Sequence, residues 1–157
     1  MKGNDELIEV LNELLADELT AINQYIVHAE MCEDWGYIEL YNGFKKRSFE
    51  EMKHAESLIA RILFLGGIPE VSKLLQMHIG ATVDKMIVND HLSEIDAIAA
   101  YNKAIKLAAE VGDNATKDFL QGILNDEDKH VDELEELMDQ LEQMTLPIFL
   151  ATKIGKE

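Results

Sequence analysis

One pattern of Glu and His, written twice, limits what this chain can fold into more than any other feature. Glu18 is followed by Glu51, with His54 one helical turn on; Glu94 is followed at the same interval by Glu127, with His130 in the same place. A single constant offset carries the first copy onto the second, and the flanks share it: Glu18-Leu-Thr-Ala-Ile-Asn-Gln-Tyr25 aligns with Glu94-Ile-Asp-Ala-Ile-Ala-Ala-Tyr101. A repeat of this kind is that of a duplicated helical hairpin. It asks the fold to bring four carboxylates and two imidazoles to one shared place.

Helical periodicity supports that reading. It predicts an all-α four-helix bundle with helices over about 4–33, 37–65, 83–111 and 114–144, plus a short fifth helix over about 146–153. Thr82 and Asn114 are expected as caps, and Pro147 sits where a first helical turn tolerates a missing N–H. The breaks at Trp35-Gly36 and Gly112-Asp113 are short and make each flanking pair an antiparallel hairpin. Between the hairpins lies an irregular stretch from Gly66 to Ala81. So long a loop is unusual in a compact domain, but it is the crossover that an up-down-down-up bundle needs. At 157 residues the chain is expected to form one domain over 1–157.

The six repeated residues fall on core faces. On the first helix Leu7, Leu11, Ile22, Tyr25 and Ala29 share a face with Glu18; on the third, Val83, Ile87, Ile98, Tyr101 and Ile105 surround Glu94. Leu40, Phe44, Leu58 and Ile62 flank Glu51, and Leu120, Ile123, Leu134 and Met138 flank Glu127. An ionised carboxylate in such a stripe costs several kcal/mol unless its charge is compensated. Two divalent ions balance four carboxylates, and neutral imidazoles add ligand atoms without changing the balance. Glu plus Glu-x-x-His from each hairpin is the known arrangement of di-iron and di-manganese bundles. The expected metal ligands are therefore Glu18, Glu51, His54, Glu94, Glu127 and His130.

Carboxylate and imidazole donors accept iron, manganese or zinc. A bridged pair held by carboxylates suits Fe(II), with O2 or H2O2 taking one electron from each ion, so ferrous oxidation is the favoured chemistry. Tyr25, two turns from Glu18 on the same face, is placed to hydrogen-bond near the site or to supply an electron. His28, His78 and His91 lack such a context and receive no role. Glu56, Glu133 and Glu136 read as a solvated face.

Composition narrows the partners. Lys plus Arg number 14 against 31 Asp plus Glu, a net charge of −17 that opposes nucleic-acid binding and favours cations. Cys32 is the single cysteine, which excludes an internal disulfide and a Cys-based zinc site. With no run of about 18 apolar residues and no apolar core in the opening segment, the expected setting is cytoplasmic, without a membrane.

The segments LLADELTAINQY, EEMKHAE, RILFLGGIP and NDEDKH carry a specific likeness, and it spans essentially the whole chain. The sequence resembles the bacterioferritins, the haem-containing branch of the ferritin-like di-iron family. That resemblance implies iron storage by a homo-oligomeric shell of 24 subunits built from dimers, which oxidises Fe(II) and keeps Fe(III) as an internal mineral. It implies that the six residues are ferroxidase ligands, with Glu51 and Glu127 bridging. It also implies that Met52 is an axial ligand of a b-type haem, one per dimer, shared with a second copy, and that an iron–sulfur ferredoxin donates electrons. Met52, Ile59 and Leu63 do lie about 100° round the second helix from Glu51, on an apolar flank; as a bare sequence feature that flank equally suits a Met packed at a dimer interface. At Lys46 and Glu50 the chain departs from its relatives, which puts an accessory iron site there in doubt. Two other readings compete: an acidic helical scaffold without metal chemistry, and a di-iron peroxidase or oxygenase acting on an organic substrate.

Overall fold

A computed structural model describes residues 1–155; the last two positions of the expected 1–157 unit lie outside the described residues. Five α-helices and no strand are found among the described residues: α1 (Asp5–Asp34), α2 (Ile38–Phe64), α3 (Val83–Glu110), α4 (Asn114–Met144) and α5 (Leu146–Thr152). Each helix begins and ends within one position of the expected span. The caps differ. Asn4 caps α1 by accepting the Leu7 amide. α4 is capped by Asp113, whose carboxylate takes the Thr116 amide, and Asn114 is already helical. Thr82 stands at the N-cap of α3, but its hydroxyl bonds the Asp84 carboxylate and caps no amide.

The hairpin turns share one geometry. Gly36 and Gly112 have φ of 83° and 79°, a left-handed conformation that costs glycine nothing and reverses the chain after α1 and α3. Amides beyond the helix then return to the last carbonyls: Tyr37 N–H to Cys32, Asp113 N–H to Ala108.

Side-chain pairs set the direction of each helix. From α1 to α3, Glu18 meets Tyr101, Tyr25 meets Glu94 and His28 meets Asp90, so these helices are antiparallel. From α2 to α4, Arg47 meets Glu133, Glu50 meets His130 and His54 meets Asp126, again antiparallel. With α1–α2 and α3–α4 as hairpins, the order is up-down-down-up, and residues 65–82 form the crossover.

Apolar burial occurs at both ends of the bundle. Leu7, Leu11, Leu58, Ile62, Tyr101, Ala104 and Leu120 belong to one cluster; Tyr25, Cys32, Leu40, Phe44, Met86, Ile87 and Phe149 belong to the other. The Glu and His layer lies between them. α5 turns off the end of α4 at Thr145, a non-glycine residue held at φ 70°, and buries Phe149 in the second cluster.

The crossover is tied to α1 by a stripe of polar residues at helical spacing. Asn12 accepts the Glu70 amide, Thr20 the Leu75 amide, Gln24 the His78 amide and His28 the Gly80 amide. An irregular backbone needs such acceptors wherever water is excluded.

Candidate metal centre

Four helices each deliver part of the Glu and His set to the same level. Glu18, Glu51, His54 and Glu127 offer ligand atoms within 4.8 Å of one another, and so do Glu51, Glu94, Glu127 and His130. Glu51 and Glu127 belong to both groups, so the two groups share two carboxylates. All six side chains are buried, none more than 6% exposed. The His54 and His130 rings lie 6.2 Å apart, 29° from parallel.

What remains unsatisfied inside this cluster is its most telling feature. Seven buried side-chain atoms have no hydrogen-bond partner among the described residues, and six of them come one from each of these residues: Glu18 Oε2, Glu51 Oε1, His54 Nδ1, Glu94 Oε2, Glu127 Oε1 and His130 Nδ1. Some lie close together without hydrogen-bond alignment, as with His54 Nδ1 and Glu127 Oε1 at 2.9 Å, or His130 Nδ1 and Glu51 Oε1 at 3.0 Å. Buried polar atoms are nearly always paired, so this many orphans facing one point call for a bound cation.

The outer nitrogen of each imidazole is engaged by the opposite hairpin. His54 Nε2 lies 2.9 Å from Asp126 Oδ2, and His130 Nε2 bonds the Glu50 carboxylate. With Nε2–H donated outward, Nδ1 keeps its lone pair for the interior, an orientation that raises ligand basicity. Asp126 and Glu50 each precede a shared carboxylate in the chain, so the duplicated motif is longer than Glu-x-x-His. It reads Glu50-Glu51-x-x-His54 and Asp126-Glu127-x-x-His130.

Without ions the cluster holds protons. Burial, then the proximity of Glu18, pushes Glu51 up to about 8; burial and Glu94 push Glu127 up to about 8. Burial works against charge on the imidazoles, but the carboxylates crowded round them, Glu127 first, outweigh it, so His54 is raised and His130 reaches about 12. Glu94 is held down at about 2: burial opposes this, but the nearby Glu127 and His130 and the Tyr25 hydroxyl prevail.

Two tyrosines brace the carboxylates that are not shared. Tyr25 on α1 donates to Glu94 Oε1 at 2.6 Å; Tyr101 on α3 donates to Glu18 Oε1 at 2.6 Å. The repeat offset carries one bond onto the other. Burial raises both phenols well above 10, which keeps them donors. Sequence periodicity puts Tyr25 near the site and Tyr101 only on a core face; the place of Tyr101 as the counterpart of Tyr25 in the second copy is the signal that marks it.

Two further sequence readings change. His28, given no role, is fully buried and sets a network: Gly80 N–H donates to its Nε2, so its proton is on Nδ1 and goes to Asp90 Oδ2 at 3.0 Å. Gln24 Nε2 donates to Asp90 Oδ1 at 2.8 Å. Asp90 lies one helical turn before Glu94, and His28 two turns and more after Glu18, so both continue the core faces already identified. Glu133, read as solvated, accepts from the buried Arg47 guanidinium, which also lies over the Tyr25 ring at 5.7 Å. His78 meets α1 through its backbone, and His91 pairs with Glu135. Glu56 and Glu136 are exposed.

Met52 is not part of the cluster. It is 41% exposed and lies on the α2 face that carries Phe49 and Leu63, also exposed. A cavity of about 320 Å³ bounded by Asp17, Thr20, Gln24, Leu75 and His78 reaches Glu18, Glu51, Glu94 and Glu127 from the crossover side. No helix among the described residues is long and apolar enough to cross a membrane.

Comparison with known proteins gives one answer. A family model described as Ferritin-like domain matches residues 8–144. The chain is 35% identical over 156 residues to a bacterioferritin of Mycolicibacterium paratuberculosis, covering 99% of this chain and 98% of the relative. It is 44% identical over 135 residues to a bacterioferritin of Rhodobacter capsulatus, covering 86% and 84%, and 38% identical over 154 residues to one of Streptomyces coelicolor, covering 98% and 92%. The duplicated bundle, its buried carboxylate layer and this near full-length likeness agree that the chain belongs to the ferritin-like family, within its bacterioferritin branch.

Proposed function

We propose that this chain stores iron, oxidising Fe(II) at a dinuclear centre within each subunit and holding the Fe(III) product as a mineral inside a shell of 24 copies. The observation that carries the reading is the set of six buried donor atoms, one from each repeated residue, that lack any partner among the described residues. Two Fe(II) ions bring four positive charges against four carboxylates, and the donor set of oxygens and imidazole nitrogens suits them. Glu18 and His54 hold one ion and Glu94 and His130 the other, with Glu51 and Glu127 shared between them.

Bound ferrous ions supply one electron each to O2 or H2O2. The protein's part is to receive the ions, exclude competing ligands and manage protons. Loading displaces the protons that the metal-free cluster keeps on Glu51, Glu127 and the two imidazoles, while Nε2–H of each His stays with Asp126 or Glu50. Tyr25, hydrogen-bonded to Glu94, is close enough to serve as an extra electron source. The acidic excess draws Fe(II) toward the shell and gives mineral a surface on which to nucleate.

The exposed Met52 thioether suits an axial haem ligand, and the apolar flank it shares with Phe49 and Leu63 suits burial against a second copy. A b-type haem there, one per dimer, supplies one-electron transfer for reducing and releasing stored iron, with a ferredoxin as donor. The setting is cytoplasmic. A metal-free acidic scaffold fits less well, because it leaves the six orphaned atoms without purpose.

The test is the visible spectrum of the purified assembly followed by stepwise Fe(II) addition in air. Bis-methionine haem bands and rapid oxidation saturating near two Fe(II) per subunit are expected. A colourless protein with fast oxidation removes the haem assignment alone; oxidation at the buffer rate removes the centre.

A further inference from the structure

We propose that Tyr101 is a positioning residue of this centre: its hydroxyl takes Glu18 Oε1 and thereby leaves the single oxygen Oε2 to face the ion on the Glu18–His54 side. The inference rests on the dinuclear reading above and adds a residue to it. Tyr101 is 0% exposed, packed in the apolar cluster with Leu58, Ala104 and Leu120. Its one O–H donor goes to Glu18 Oε1 at 2.6 Å. A buried phenol has no water to turn to, so this bond is retained when Glu18 acquires a metal. The other oxygen, Oε2, is buried without a hydrogen bond and lies 3.6 Å from His54 Nδ1, the other inward-facing donor on that side. Tyrosine and ion thus claim opposite oxygens of one carboxylate. Chelation by both oxygens is prevented, and one coordination position is kept free for another ligand.

The symmetry-related bond likewise leaves Glu94 Oε2 buried without a partner, and it differs in where the imidazole lies. At Glu94 the oxygen that accepts from Tyr25 is also the one 3.5 Å from His130 Nδ1, so phenol and imidazole converge on the same atom. Arg47 lies over the Tyr25 ring, while its counterpart in the second copy is Ile123, so Tyr101 has no equivalent cation among the described residues. Two positions that look alike in sequence are therefore unequal, and Tyr101 controls only the one at Glu18.

The experiment is Co(II) titration of the full assembled protein, read by d–d absorption and calorimetry, in wild type, Tyr101→Phe and Tyr25→Phe. Removing a group that orients a ligand typically costs about 10–100-fold in metal affinity. Tyr101→Phe is expected to weaken one of the two Co(II) positions by about tenfold and to change its absorption, leaving the other within about twofold; Tyr25→Phe affects the other position. Unchanged binding, or equal weakening of both positions, overturns the assignment. Wild type that fails to take two Co(II) per subunit sinks the dinuclear reading and this inference with it. Should Tyr101→Phe not fold, wild type carrying 3-fluorotyrosine decides the matter by fluorine NMR during Zn(II) loading, with resonances assigned by single Tyr→Phe changes at 25, 37 and 41. The Tyr101 resonance is expected to move as one of the two positions fills; a resonance unmoved through both overturns the proposal.

Discussion

The two hairpins of this molecule are nearly the same around the buried carboxylates and at their turns, and unlike where they meet the crossover and on the Met52 flank. Under the repeat offset Glu18, Tyr25, Glu51 and His54 become Glu94, Tyr101, Glu127 and His130, and the Glu50–His130 bond becomes Asp126–His54. Away from that layer and the turns the two copies diverge at particular faces. Thr20, Gln24 and His28, which hold the crossover, correspond to Asp96, Ala100 and Ala104; Met52 corresponds to Asp128. The crossover exists once, so only one hairpin needs acceptors for its backbone. The proposed dinuclear centre draws equivalent ligands from both, and both carry them. The two copies match at the carboxylate layer and differ where the single crossover meets only one hairpin.

That contrast can be broken most severely at the shared carboxylates. Glu51→Ala and Glu127→Ala should each lower the initial rate of Fe(II) oxidation by on the order of a thousandfold, since loss of a bridging ligand exceeds the roughly 10–100-fold cost of disturbing a ligand's support. Stopped-flow absorbance measures it, and a large difference between the two variants would refute the equivalence of the halves.

The unduplicated part should respond in stability, not in chemistry. His28→Ala leaves Asp90 buried without its imidazole partner and frees Gly80, at a cost of about 3 kcal/mol. By calorimetry that is a fall in Tm of roughly 6–12 °C for a chain of this size. Retention of the wild-type Tm would mean that the crossover is held by other contacts.

Proton release provides a finer test. Glu51 and Glu127 have folded values of about 8 against an ordinary 4.5, so between those limits the folded metal-free state binds more protons than the unfolded one. Stability without metal therefore falls as pH rises through that window. The raised imidazoles add to the fall above 6.5, whereas Glu94, held at about 2, completes its opposite contribution by 4.5. Ions displace these protons, so stabilisation by Zn(II) should grow from about pH 5.5 to 8, by about 1.4 kcal/mol per displaced proton per pH unit. Thermal shift with and without Zn(II) measures it; a pH-independent difference would contradict the protonated cluster.

The smallest effect is expected at Met52. Met52→Leu should abolish haem absorption while changing Fe(II) oxidation by less than about twofold, because the side chain lies outside the ligand cluster on the exposed flank of α2. A loss of oxidation as severe as that of Glu18→Ala would show that haem and centre do not act separately.

Much of this was legible before any coordinates. Repeated spacing marks Glu18, Glu51, His54, Glu94, Glu127 and His130 because a site built by two equivalent hairpins leaves an arithmetic trace in the chain. His28 and Asp90 were not legible as a pair. Each is a lone polar residue on an apolar stripe, without a repeat, and their bond spans 62 positions. Asn114 looked like a cap by residue type, but the turn geometry gave that place to Asp113. Glu133 looked solvated because helical periodicity describes one helix at a time, and Arg47 reaches it from another.

The amino-acid order by itself determined the helices, their pairing into hairpins and the six side chains of the layer, since apolar period and repeat spacing are local quantities that need no partner to be read. Only the packed bundle decided which oxygen of Glu18 meets Tyr101, which carboxylate turns each imidazole inward, and which α1 residues hold the crossover. Those choices join groups as many as 83 positions apart. They depend on the register of helices against one another, which is set by the mutual fit of buried surfaces.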